Sequence, residues 1–311
     1  MPRKRVYYGG QAVIEGVMIR GPKTMAIACR RPDGGIATRQ ETLGSLYSGV
    51  LRHIPLIRGV IVLWETLALG MRALMWSSSV QLGEEEEEPA GAMWVMVVIS
   101  LLIVGGIFFA GPLLLADLLH GLLGSDLAVV AVEGLIRLGV IVGYVAAIGF
   151  MPDIRRVYQY HGAEHKSIHA LEAGDPLEPE HVQRHPTAHV RCGTSFLLTV
   201  VVVSVFVFAA VGNPDLWLRV VSRIVLIPAI ASIAYEVIRL GGAFSSNPVT
   251  KVLMWPNLAL QSITTKPPDD EQVEVALRAL KDMLAAEERA EQTAPVARPE
   301  AEASAEASPS D

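Results

Sequence analysis

Four stretches of this chain are apolar for long enough to cross a lipid bilayer, which takes roughly 20 residues of helix. They run over 93–118, 127–151, 195–211 and 216–238. Backbone inside hydrocarbon must satisfy its own hydrogen bonds, so segments of this length are expected to be helices. Composition agrees. Hydrophobic residues make up 51% of the chain and charged residues only 19%, with a mean hydropathy of +0.39. An average soluble domain carries about 25% charged residues, so a plain soluble enzyme is excluded. Disorder over most of the chain is excluded too, because it requires low hydrophobicity. Two cysteines, Cys29 and Cys192, are too few for a disulfide scaffold.

The net charge of −6 divides unevenly. The end of the chain from 267 onward carries 12 acids and 4 bases, and the run 84–88 is five glutamates. What remains is hydrophobic and mildly basic. Eleven of the 26 lysines and arginines precede Met93, five lie in 152–194 and seven follow 238. The short connections 119–126 and 212–215 contain none. Positive charge stays on the cytoplasmic side of a membrane. Four spans with both termini inside, and 152–194 as a cytoplasmic loop, fit every segment. The start of the chain has basic residues but no apolar stretch behind them, so no cleavable signal peptide is read there.

The fold class expected is therefore a mainly α membrane protein, with about four transmembrane helices, an interfacial or re-entrant amphipathic helix and a small N-terminal β-rich cytoplasmic element. In chain order the parts are the β-rich region 1–48, the amphipathic helix 49–76, an acidic linker 77–92 and a helical hairpin 93–151. Then come the His-rich loop 152–194, a second hairpin 195–238, a cytoplasmic region 239–288 and a disordered tail 289–311. Arg58 and Glu65 argue against a full span in 49–76, since each would cost a few kcal/mol in hydrocarbon. Residues 252–263 are too short to span and read as a second surface-lying piece. Pro32-Asp33-Gly34-Gly35 reads as a turn between strands 25–29 and 36–39. Val273, Ala276, Leu277, Leu280 and Leu284 have the spacing of an amphipathic helix over 269–288. Within the spans, Glu133 and Arg137 are four apart and favour an ion pair, whose exchange should partly preserve the protein. Pro112 and Pro228 are expected to kink their helices.

Six of the eight histidines fall within 29 residues: His161, His165, His169, His181, His185 and His189. In a helix, His161 and His165 lie one turn apart on one face and can grip one metal ion. His-x-x-Glu-His is also the arrangement in which the glutamate serves as general base, here Glu164. His169 is one turn further on. Glu172 faces as His161 does but lies about 16 Å along the axis, so one ion cannot be held by both. A third ligand must come from elsewhere, and His189 and Cys192, both good zinc donors, are the best candidates. Four protein ligands would make a closed, structural site. Three would leave a position for water and catalysis. The plainer reading is a hydrogen-bonded polar cluster in a loop that tolerates histidine.

Three strings, Gly9-Gly10-Gln11-Ala12-Val13-Ile14-Glu15-Gly16-Val17-Met18, Tyr160-His161-Gly162-Ala163-Glu164-His165-Lys166 and Arg191-Cys192-Gly193-Thr194-Ser195-Phe196, resemble the YqhQ-like family of bacterial membrane proteins. Thr264-Thr265-Lys266-Pro267-Pro268-Asp269-Asp270 is similar to that family's ending, and the match runs from about 6 to 284. The resemblance implies a metal-dependent enzyme of the bacterial inner membrane without naming a reaction. Its motif positions fall on His161, Glu164, His165, His189 and Cys192. Val190 departs from it, standing where the family has proline, which would fix the backbone. Glu15, in the glycine-rich first string, is a candidate to complete a metal site or to act as a general base. Its alternative is a surface glutamate in a turn.

The leading expectation is a membrane-embedded hydrolase with a divalent metal, zinc by its donors, held by His161, His165 and His189 or Cys192. Glu164 would be its base, and the substrate a lipid headgroup or a membrane-associated protein. The alternatives are a non-enzymatic scaffold with a structural zinc, and an ion or metal transporter. The lipid bilayer is the expected partner. Nucleic acid is not, because no recognition motif is present.

Overall fold

The computed structural model describes residues 8–44, 54–83, 90–189, 192–212, 214–244 and 247–292. The acidic run 84–88, the start of the amphipathic segment at 49–53, Val190, Arg191 and the chain end 293–311 lie outside the described residues.

Four strands, β1 (Gly9–Val13), β2 (Gly16–Arg20), β3 (Thr24–Arg30) and β4 (Ile36–Thr42), form an antiparallel meander in that order. The expected β3–β4 hairpin is present, with Gly34 supplying the positive φ of its turn. The β1–β2 hairpin is an addition to it. Alternation of side chains along β2 and β3 feeds two cores. Val17, Ile19, Ala26 and Ala28 face one side, and Met18, Met25 and Ile27 the other.

The first face is covered by α6 (Pro152–Ala173) and α12 (Asp270–Gln292). Val273, Ala276, Leu277 and Leu280 of α12 are buried there, as their spacing predicts. Asp269 and Gln272 close its first turn reciprocally, each side chain accepting from the other's backbone N–H at 2.8 and 3.0 Å. The second face is covered by Leu69 and Ala73 of α1 (Ile57–Leu82).

Helix α1 is where the structure differs most from the sequence expectation for 49–76. It is one unbroken helix of 26 residues, and it is long and apolar enough to cross a membrane. Both of the charges in question are paired. Arg58 clasps Glu236 with Nε and Nη2 on the two carboxylate oxygens, and Arg20 of β2 meets Glu65. Gly59 permits close packing, since a Cβ there would lie 2.6 Å from the Ser232 Cα. The helix thus begins against α10 (Ile227–Ala243) and ends on the sheet.

Three further segments pass the same test of length and apolarity: Val98–Leu118, α5 (Asp126–Ile148) and α8 (Gly193–Val211). The first consists of the end of α2 (Ala90–Gly105), a π-helical turn at Gly106–Ala110, and α3 (Gly111–Leu118). A short α4 (His120–Leu123) follows it. The expected span at 216–238 is instead a bent pair, α9 (Leu216–Val225) and α10, with 47° between them. Pro112 and Pro228 both sit in the first turn after a break, where proline is tolerated. Helix α7 (Pro179–Val182) is a single turn in the His-rich loop, and α11 (Pro248–Thr264) packs along α8.

The expected Glu133–Arg137 pair forms at 2.5 Å, but Arg223 takes the other carboxylate oxygen at 2.7 Å. Exchanging Glu133 with Arg137 would therefore set a guanidinium against Arg223. The partial preservation expected from the sequence is withdrawn for that reason. Pro112 has no N–H to give the carbonyl four residues before it, and that Phe108 carbonyl accepts from Arg137 Nε at 3.1 Å.

Candidate metal centre

Helix α6 starts on Pro152 and ends at Gly174, whose φ of +77° lets the chain leave the helix. Residues 162–168 are all buried. At Gly162 the backbone of Lys266 crosses so closely that any Cβ would meet its carbonyl oxygen. That crossing, pinned by Lys266 N–H to Tyr158 O at 2.9 Å, brings Thr264 O to within 3.0 Å of His161 Nδ1.

The chain returning from α7 is held by side chains of α6 that read its carbonyls in order. Lys166 Nζ donates to Gln183 O and His185 O at 2.6 and 2.7 Å. His165 Nδ1 bonds Thr187 O at 2.5 Å, and His169 Nε2 bonds Ala188 O at 2.9 Å. From α11, the Gln261 amide accepts from His189 N at 2.8 Å and donates to His189 O and Ser195 Oγ, both at 2.9 Å.

Two groups of donors result. His161, His165 and Cys192 bring one donor atom each within 4.8 Å of one another. His161 Nε2 lies 3.2 Å from Cys192 Sγ, and the His161 and His165 rings are 4.4 Å apart between centroids. His169, Glu172 and His189 form the second group by the same measure. Of His189 and Cys192, it is Cys192 that groups with His161 and His165. His189 stands one step away, its ring centroid 5.7 Å from that of His165. His185 pairs with Asp175 at 2.9 Å and His181 lies 3.7 Å from Glu178, outside both groups.

Glu164 is 5% exposed. Burial pushes its carboxyl up to about 7, a shift that His161 opposes. Burial holds the His165 imidazole far below its usual range, at about 2, with His161 adding to the effect. The 3.5 Å contact between Glu164 Oε2 and His165 Nε2 is therefore not a pair of full charges. Burial raises the Cys192 thiol to about 11, against hydrogen bonds from Thr194. The same thiol caps α8, accepting from Thr194 N at 3.4 Å.

Gly10 of β1 is the floor under Glu164. A Cβ at Gly10 would lie 2.6 Å from both Cγ and Oε1 of that carboxylate. The glycine-rich first string thus reaches the site through its glycine. Its glutamate does not take part. Glu15, at φ +49° in the β1–β2 turn, binds Arg156 through two contacts of 2.5 Å. It also accepts from Tyr160 OH at 3.2 Å. It ties the sheet to α6 and meets neither donor group. Gln261 and the carbonyls of Thr187 and Thr264 carry no sequence signal, whereas Gly10 lies in the glycine-rich string that the sequence does mark.

No solved structure matches the chain. The uncharacterized protein YqhQ of Bacillus subtilis (strain 168) is 37% identical to it over 300 residues, 92% of this chain and 94% of the relative. A family model described as "Protein of unknown function (DUF1385)" matches residues 54–286. This stretch holds both donor groups and leaves out the four strands. The chain therefore belongs to this family of unknown function, and it is similar to YqhQ over nearly its whole length.

Proposed function

We propose that this is a multi-pass membrane protein of the bacterial inner membrane with a metal-dependent hydrolytic centre at its cytoplasmic face, acting on a membrane-associated substrate. His161, His165 and Cys192 hold the metal, with zinc favoured by the soft thiolate.

The observation that carries the metal is the fixing of both imidazoles. His161 and His165 each give Nδ1 to a backbone carbonyl, which leaves each Nε2 to offer a lone pair, that of His161 lying 3.2 Å from Cys192 Sγ. This outer support of a ligating histidine is what metal sites use to set ring orientation and tautomer. Three donors also leave a fourth position open. When bound, the metal supplies a Lewis acid that lowers the pKa of water. Glu164, poised near neutrality beside His165, is placed to take a proton. Cys192 gives up its own proton when it ligates. A closed structural zinc is the second reading, favoured by the burial of His165 and Cys192 to 3% and 6% exposure.

Support for the membrane comes from the surface of the long helices. Leu102, Leu118, Leu135 and Phe206 are 66–80% exposed, a display that a soluble monomer avoids. Parity of crossings supports the number of spans. The sheet, α6 and α12 form one packed body, so they share one side of the membrane. An even number of crossings must then separate the sheet from α6. Val98–Leu118 and α5 supply two, which leaves α1 as a re-entrant or interfacial helix, in keeping with its docking on the sheet. Residues 193–243 supply two more. The basic segments then all fall on the cytoplasmic side.

The test is metal analysis of purified protein beside His165→Ala and Cys192→Ser. Each variant is expected to lose one equivalent of zinc, and unchanged metal content in both would overturn the site. In a cobalt-substituted sample, visible bands that shift between pH 6 and 9 mark an exchangeable fourth position and the enzyme. Bands that do not move mark the closed, structural site.

A further inference from the structure

His169, Glu172 and His189 are left over by this function, and they are arranged as a site in their own right. One donor atom from each lies within 4.8 Å of the other two. His189 Nε2 is 3.4 Å from Glu172 Oε2, and the His169 and His189 rings are 4.6 Å apart. The support around them is built. The backbone of His189 is clamped on both sides by the Gln261 amide, and the His169 ring is held by the Ala188 carbonyl.

We propose that His169, Glu172 and His189 form a second metal site, adjacent to the first, that takes a divalent first-row transition ion. Two imidazoles and one carboxylate are an N₂O donor set, without thiolate, and suit zinc, cobalt or ferrous iron. The two sites share α6. His165 closes one and His169 opens the other, about 6 Å of helix rise apart. The length of α6 that prevents one ion from being held by His161 and Glu172 together is what makes room for two. The sites also differ in access. His165 and Cys192 are buried, whereas the Glu172 side chain is 36% exposed, so the second site faces solvent on its carboxylate side. The second site stands on its own three residues and does not depend on the first being catalytic or even metallated.

The experiment is a titration of the chelator-stripped full-length protein with Co²⁺. Two equivalents are expected. A near-ultraviolet thiolate band should saturate after one, while the visible bands grow through both. In Glu172→Gln, at a half-exposed position that tolerates change, total binding should fall to one equivalent with the thiolate band intact. His169→Ala should behave alike. Cys192→Ser should lose the thiolate band and keep one equivalent. Wild-type protein that saturates at one equivalent carrying the thiolate band would overturn the second site, as would two equivalents retained in Glu172→Gln. Loss of the thiolate band in Glu172→Gln would also overturn it, by merging the groups into one centre. If the thiolate band never forms while a Glu172-dependent equivalent still binds, the first site fails and the second stands.

Discussion

Gly10 has only a hydrogen where any other residue would push into the Glu164 carboxylate. Gly10→Ala is expected to lower stability by about 1–3 kcal/mol, the usual effect of overpacking. Gly9→Ala, with nothing within 4 Å, should change little. Thermal melts of the two variants in detergent check the contrast. Glu164 itself carries a pH signature. Its carboxyl keeps a proton in the folded protein up to about pH 7, while the unfolded chain loses it near 4.5. Below 4.5 both states are protonated and nothing is lost. As pH rises from there to 7 the folded state loses ground, by ~3 kcal/mol in all at 1.36 kcal/mol per unit. In chelator-treated protein, Glu164→Gln should therefore melt above wild type at pH 8 and with it at pH 4. A difference that did not vary with pH would sink this. Cys192 sets the pH dependence of metal binding in the opposite sense. The thiol is protonated up to about 11, so binding releases its proton. Cobalt affinity should rise about tenfold per pH unit between 7.5 and 9. In Cys192→Ser that slope should flatten.

At the scale of elements, α6 was legible because one helical period relates His161 to His165, and nothing further along the chain alters that relation. The partner of His189 was not legible. It depends on where the returning loop is stapled, which Lys166 and Gln261 decide from different helices. The amphipathic spacing of α12 placed its buried residues, whereas the partners of the charges of α1, Arg20 and Glu236, lie on elements that sequence spacing cannot relate to it. The same limit applied to the spans. Glu133 and Arg137 could be paired by counting four residues, but Arg223, from another helix, could not. Glu133 now serves two buried guanidinium groups. Removing one partner of a buried ion pair costs about 3–5 kcal/mol. Glu133→Gln should therefore reduce the yield of folded protein more than Glu180→Gln, whose exposed pair with Arg184 is worth at most about 1 kcal/mol. Size-exclusion profiles of the two variants at matched expression provide the comparison.

For the whole molecule, the parity of crossings makes a sharp statement about α1. A cysteine introduced by Leu82→Cys should react with a membrane-impermeant maleimide only after cells are broken, as should Glu178→Cys. Ser125→Cys should react in intact spheroplasts. Labelling of Leu82→Cys from outside would mean that α1 crosses and that the four-span arrangement is wrong. The native cysteines, Cys29 and Cys192, are both buried and leave such labelling readable. The packing of the chain's two ends has a different consequence, for biosynthesis. Glu287 accepts from the backbone and hydroxyl of Thr24 across 263 residues, and Glu15 meets Arg156 across 141. A ribosome adding about 5–20 residues per second releases the sheet long before α12. Until then Val17, Ile19, Ala26 and Ala28 have no cover from the last helix. The long apolar helices between the chain's two ends therefore emerge before the packed body of sheet, α6 and α12 can close. The histidines of α6 meet Cys192 and the Thr264 carbonyl only after those later segments have been made, and a chain cut short before α12 leaves part of the sheet face uncovered.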